Sequence, residues 1–256
     1  MQRSNNIHIW NNTVFQCTDG LYKNYIPLPS YKYQISDLDI EFQQYEENRI
    51  YEPDVQVHNM DTIEAMGHLR DEGFRPLVLN MANDLHPGGG VRHGAKAQEE
   101  DIFRISNAFM SLHEILYPME DNEVIYSPAI YQIKDSHYNY LTHPRKFSMI
   151  SVAALRQPNL YNVHGKSFYE PEDELTMRNK INMIFYLGVK HNHDSLVLGA
   201  LGCGAFHNPP REVASFFKDA IRDYGQYFKG IVFAVKSDNI SDHNYNIFRE
   251  IIKSDI

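Results

Sequence analysis

The sequence predicts an α/β protein, a sheet sandwiched between layers of helices. Apolar runs of strand length alternate along the chain with stretches of helical periodicity. Two glycine-rich loops each follow a buried-type strand and precede a helix. In such folds ligands bind at the carboxyl ends of the strands, so both loops fall where a site is expected.

Residues 1–55 are polar and tyrosine-rich, punctuated by Tyr25-Ile26-Pro27-Leu28-Pro29 and by an acidic run over Glu41–Glu47. So few apolar residues could hardly bury a core alone. The segment is therefore expected to be a loosely organised N-terminal extension packed on a core domain at 56–256. From Val55 the punctuation becomes regular. Asp61-Thr62-Ile63-Glu64 is a capping-box pattern, and Ile63, Met66 and Leu69 form the buried stripe of a short helix that Gly73 ends. Pro76–Ala82 reads as a strand buried on both faces. After the first glycine loop a long helix is expected, with Ile102, Ile105, Phe109, Leu112 and Leu116 on one face. Val124–Tyr126 and Met149–Val152 read as strands. Met177, Ile181, Ile184 and Phe185 mark a helix expected to end near Gly188. Strand Ser195–Leu201, the second loop, a helix through Val213, Phe216, Phe217, Ala220 and Ile221, strand Gly230–Val235 and a closing helix over 244–252 complete the pattern.

The chain has 256 residues, 43% hydrophobic and 22% charged, which suits one decorated globular domain and excludes general disorder. Its net charge of −9 disfavours tight sequence-independent binding to duplex nucleic acid. The longest apolar runs fall far short of the roughly 20 residues of a membrane span, and the polar start shows no secretory signal. Only Cys17 and Cys203 are present, which argues against a disulfide scaffold and for a cytoplasmic or other reducing intracellular compartment. No metal or redox cofactor is expected, and the protein is expected to act as a monomer.

Chemistry concentrates in three places. The first loop, Asn80-Met81-Ala82-Asn83-Asp84-Leu85-His86-Pro87-Gly88-Gly89-Gly90-Val91, has three glycines that let backbone N–H groups approach an anion. The second, Gly199-Ala200-Leu201-Gly202-Cys203-Gly204-Ala205-Phe206, follows the same logic with G-x-x-G-x-G spacing, which is neither a dinucleotide fingerprint nor a P-loop. Two such loops on one sheet suit a diphosphate ligand whose phosphates are not hydrolysed. The third place is Gln98-Glu99-Glu100. Adjacent carboxylates at a helix start are commonly dipole partners in solvent. Beside a triple glycine they can instead act on a sugar, one carboxyl protonating a leaving oxygen while an oxocarbenium-like centre is stabilised.

Gly88-Gly89-Gly90, seven further residues, then Gln98-Glu99-Glu100 resembles the GGG-x(6–8)-QEE signature of poly(ADP-ribose) glycohydrolases. The surrounding text resembles the microbial-type branch, from about Val55 to the C-terminus, with a weaker echo around Trp10–Val14. The resemblance implies a macrodomain-like three-layer α/β/α sandwich with a mixed central sheet. It implies a glycosidase cleaving the ribose–ribose O-glycosidic bond, with Glu100 as catalytic acid and Glu99 as the partner that holds the ribose hydroxyls. Asn83 and Phe206 then contact the distal ribose. Gly88, Gly89 and Gly90 cover the distal ribose and diphosphate, Val91 and Gln98 belong to the binding set, and Gly202, Cys203, Gly204 and Ala205 line the diphosphate. His86 and the charged Arg92-His93 depart from the family's usual small or amide residues.

Expected partners are ADP-ribose, poly(ADP-ribose) and ADP-ribosylated macromolecules. A non-catalytic ADP-ribose reader would use the same loops without needing the glutamate pair. ADP-ribose attached to protein or nucleic acid is an alternative substrate, and a nicotinamide-dependent oxidoreductase is disfavoured by the glycine spacing. Lys190-His191-Asn192-His193-Asp194 reads as a helix end rather than a metal site, and Cys203 beside His207 as packing rather than a nucleophile and its base.

Overall fold

The computed structural model describes residues 2–36, 51–236 and 243–254, so the acidic run over Glu41–Glu47 lies outside the described residues. A seven-stranded sheet in the order β1-β4-β5-β3-β8-β9-β2 forms the middle of the molecule. Its strands are β1 (Tyr31–Gln34), β2 (Asp54–His58), β3 (Pro76–Met81), β4 (Glu123–Lys134), β5 (Tyr140–Val152), β8 (Ser195–Leu198) and β9 (Gly230–Ala234). Pairings from β5 across to β2 are parallel, while β4 runs antiparallel to both β5 and β1, so the sheet is mixed. A separate hairpin, β6 (Leu160–Val163) and β7 (Lys166–Tyr169), lies outside it.

Strand alternation divides the core into two layers. Leu77, Leu79, Leu196, Leu198, Ile231 and Phe233 face α4 (Pro171–Lys190), α5 (Pro210–Tyr224) and α6 (His243–Lys253). Val78, Val197 and Val232 face α1 (Gln2–Thr18), α2 (Thr62–Asp71) and α3 (Gln98–Ile105). Each such side chain, fully buried, contributes about 1.5–3 kcal/mol. The result is the three-layer sandwich that the alternating pattern predicts.

Several expectations are corrected. Residues 2–34 are not loosely organised. α1 is a 17-residue helix, and β1 joins the sheet edge against β4. Residues on both sides of position 55 contribute to the one sheet, because β2 begins at Asp54. α1 buries Asn6, Trp10, Thr13 and Cys17. Half of that stripe is polar, so hydrophobic periodicity does not reveal it. Its polar members bond across the chain, Asn6 Nδ2 to Gly94 O at 3.1 Å and Thr13 Oγ1 to Arg104 O. α1 thereby braces the glycine loop and α3 from behind.

α3 stops at Ile105 rather than running on to Leu116. Ser106 turns its hydroxyl back to Ile102 O at 2.7 Å, and Asn107 bonds Tyr25 O and the Tyr131 N–H, drawing the backbone into the sheet edge. α4 passes through Gly188 and ends at Lys190. That glycine lies under Phe228, whose ring carbons would stand 2.9 Å from an added Cβ, so it serves close approach rather than termination. β4 and β5 are longer than read and form a hairpin. The capping box at Asp61 is present, with Asp61 Oδ1 accepting from Ile63 N at 2.9 Å.

Candidate active site

The site forms where β3 ends and α3 begins. Gln98 bonds the end of β3 with both ends of its amide: Oε1 accepts from Met81 N at 2.9 Å and Nε2 donates to Leu79 O at 2.6 Å. Its Nε2 also reaches Thr62 Oγ1 at 3.3 Å. The first turn of α3 is thus fixed against the strand, which delivers the next two residues into the loop. Glu99 and Glu100 are buried, at 3% and 8% exposure, instead of solvated as a bland helix start would leave them.

The loop backbone closes on these carboxylates. Glu99 Oε2 accepts from Asn83 N at 2.8 Å, and its Oε1 accepts from Gly88 N and Asn80 Nδ2, each at 3.2 Å. Glu100 Oε1 accepts from Gly90 N at 3.0 Å. Glu100 Oε2 is buried with no hydrogen-bond partner among the described residues. Gly89 has φ +50, and a Cβ there would lie 2.8 Å from Glu100 Oε1 and 3.3 Å from Glu99 Oε2. Only a glycine lets the chain pass that close to both acids in that conformation. Burial pushes the Glu99 carboxyl up to about 8, against the three hydrogen bonds that favour its charge, and the neighbouring Glu100 adds a smaller rise.

A cleft of about 290 Å³ opens in front of the pair, lined by Asn83, Glu99 and Glu100 on one side and by Gly202, Gly204, Ala205 and Phe206 on the other. Gln98 lines it too, with its amide already engaged. Asn83 Oδ1 accepts from Leu85 N and His86 N, so its carbonyl shapes the turn. Phe206 is half-buried, with its ring under the Arg156 guanidinium at 4.2 Å. Gly88 and Gly90 give their N–H groups to the carboxylates and do not line the cleft. The Val91 side chain belongs to the apolar core under the loop, and Cys203 lies off the cleft lining.

Three residues that hold the site escaped the sequence reading. Asn80 bonds Glu99 and also Ser151 Oγ on β5 at 3.0 Å. Its signal was available: an amide inside the apolar run Pro76–Met81 must find partners. Asn208 holds the second loop, its Nδ2 facing Leu155 O at 2.7 Å, Gly202 O at 3.2 Å and Phe206 O at 3.4 Å, while Oδ1 accepts from Tyr169. Arg156, after β5, pairs with Asp84. Nothing local marks either one.

α4 ends at Lys190, and His193 just beyond it is buried rather than solvated. His193 uses both ring nitrogens, on Tyr126 OH and Arg75 O, and His191 stacks on Tyr126 at 3.8 Å. Cys203 donates to Leu201 O and burial pushes its thiol up, which suits packing and not a nucleophile. Among the described residues no group of three His, Cys, Asp or Glu side chains could hold a metal ion, and no helix is long and apolar enough to cross a membrane.

Fold and site together define an α/β sandwich whose strand-end cleft pairs two buried carboxylates with two backbone-rich loops. The family described as "Microbial-type PARG, catalytic domain" matches residues 8–135, half of the chain, and the chain belongs to that family of glycosidases. The poly(ADP-ribose) glycohydrolase (PARG) of Thermomonospora curvata has a similar fold, with a TM-score of 0.77 and 22% identity over 97% of this chain and 99% of that one. The enzyme of Deinococcus radiodurans in complex with ADP-ribose gives 0.74 and 24% over 88% and 94%. The Thermomonospora curvata enzyme bound to the inhibitor ADP-HPD gives 0.74 and 22% over 96% and 99%. No curated protein sequence matches this chain at a significant level.

Proposed function

We propose that this chain hydrolyses the ribose–ribose O-glycosidic bond of poly(ADP-ribose) and releases ADP-ribose, with Glu100 as general acid and then general base. The observation that carries the reading is the state of Glu100: buried, fixed through one oxygen by Gly90 N, and lining the cleft with its other oxygen unpartnered. The N–H groups of Asn83 and Gly88 and the side-chain amide of Asn80 fix the Glu99 carboxyl in place, which makes it the positioning partner of the pair. In this mechanism Glu100 Oε2, which has no hydrogen-bond partner among the described residues, delivers the proton. It passes to the departing hydroxyl oxygen as the C–O bond breaks and the anomeric carbon gains oxocarbenium character. Water then attacks that carbon and returns a proton to the carboxylate.

Asn83 and Phe206 hold the distal ribose in this reading, Glu99 its hydroxyls, and Gly202, Gly204 and Ala205 the diphosphate. The sandwich is a macrodomain whose catalytic domain at 56–256 is completed by α1, β1 and the first residues of β2. The enzyme works as a monomer in a reducing compartment, which the two free cysteines support. The test is a substrate panel with wild type and Glu100→Gln. Wild type should release ADP-ribose from polymer. The variant should lose about 10²–10⁴ in turnover while ADP-ribose still raises its Tm. Release only from ADP-ribosylated protein or nucleic acid would move the acceptor assignment, and a fully active variant would remove Glu100 from the chemistry.

A further inference from the structure

Two adjoining clefts share Met81, Ala97, Gln98, Ala200 and Gly204. One continues toward Asp61 and Asn244, and the other ends at Glu99, Glu100, Phe206 and Arg156. A ligand threaded through both, with its anomeric carbon at the carboxylates, therefore directs whatever lies beyond the scissile bond toward Arg156. This step rests on the glycohydrolase reading, in which the group beyond that bond is a further ADP-ribose unit bearing phosphates.

We propose that Arg156 is a specificity-determining residue that receives a phosphate of this acceptor-side unit, with Asp84 occupying the guanidinium until it arrives. The Phe206 ring, 4.2 Å from the guanidinium, fixes one face of its plane and leaves the N–H edges to accept an anion. Arg156 Nη2 and Nε point at the Asp84 carboxylate, and the two side chains are 45% and 26% exposed, so a phosphate can reach the pair from solvent. Arginine suits this exchange because its fork matches carboxylate and phosphate alike. Asp84 is not stranded when displaced, since its charge also favours the ammonium of the buried Lys180. A neutral acceptor has nothing to exchange for Asp84, so the device favours polymer over ADP-ribose on an uncharged group.

The test measures affinity for defined-length poly(ADP-ribose) and for ADP-ribose in the full chain carrying Glu100→Gln, alone and with Arg156→Gln, Arg156→Lys or Asp84→Asn. Arg156→Gln should weaken polymer about tenfold and ADP-ribose less than about twofold, with Arg156→Lys in between. Asp84→Asn should tighten polymer binding, because the competitor for the guanidinium is gone. Equal losses for polymer and ADP-ribose after Arg156→Gln would overturn the proposal and leave Arg156 as a prop for Phe206. Weakened polymer binding in Asp84→Asn would overturn it too, making the pair a structural tie. Hydrolysis by the otherwise unaltered enzyme separates the two readings. Polymer turned over equally well with and without Arg156 rejects only the acceptor subsite, whereas polymer neither bound nor cleaved rejects the function itself.

Discussion

The loop after β3 is held from behind by carboxylates, whereas the loop after β8 is held by one neutral amide. In the first, Asn83, Gly88 and Gly90 give their N–H groups to Glu99 and Glu100. In the second, Asn208 spans the carbonyls of Leu155, Gly202 and Phe206. Buried charge is costly, and burial accordingly pushes Glu99 far above the ordinary carboxylate range. A neutral amide carries no such penalty and no chemistry. The contrast teaches that reactivity and loop structure share the same atoms on one side of the cleft and are separable on the other.

Breaking the first loop should have the larger effect on rate. In Gly89→Ala the new Cβ displaces Glu100 Oε1, so turnover should fall about 10²-fold, because a misplacement of about 1 Å costs that much. ADP-ribose binding, measured by its Tm shift, should fall much less. A rate near wild type would mean that Glu100 need not sit where it does.

Breaking the second loop should appear in stability. Asn208→Ala strips the donor from three carbonyls and the acceptor from Tyr169, costing about 2–3 kcal/mol by denaturant unfolding. The rate of the folded fraction at saturating substrate should drop less than in Gly89→Ala. The reverse ranking would cancel the distinction between the loops.

A pH series sharpens the same point. A carboxyl raised from about 4.3 in the unfolded chain to about 8 in the folded one keeps its proton longer when folded. Its contribution is fully present below the lower value and is lost as pH rises through the window to the higher one. Tm of wild type should therefore decline across that range, and Glu99→Gln should flatten the decline. An unchanged slope would show that the burial of Glu99 does not govern it. The smallest effect belongs to Gly204→Ala. No atom lies within 4 Å of its added Cβ, so stability should stay within about 0.5 kcal/mol. ADP-ribose affinity should fall slightly, since that methyl enters the cleft, and a calorimetric titration would read it.

Legibility in the sequence followed the range of the interaction. The capping box at Asp61, the buried strand β3, the amphipathic α5 and both glycine loops rest on residues within a few positions of one another. The helical spacing runs on through Phe109, Leu112 and Leu116, yet α3 ends at Ile105 because Asn107 is drawn away by partners in distant segments. α1 leaves no hydrophobic period, because half of its buried stripe is polar and bonds across the molecule.

By itself the sequence determined the layered α/β class and the meeting of a triple glycine with Gln98-Glu99-Glu100 at a strand end, since both follow from local periodicity and short spacing. Only the tertiary structure decided that the glutamates are buried, that Asn80 and Asn208 hold the loops, and that Arg156 closes one end of the cleft. Asn208 meets Leu155 across 53 positions and Arg156 meets Asp84 across 72. Such polar pairings leave no periodic trace, because their energy depends on where the folded sheet brings distant loops together.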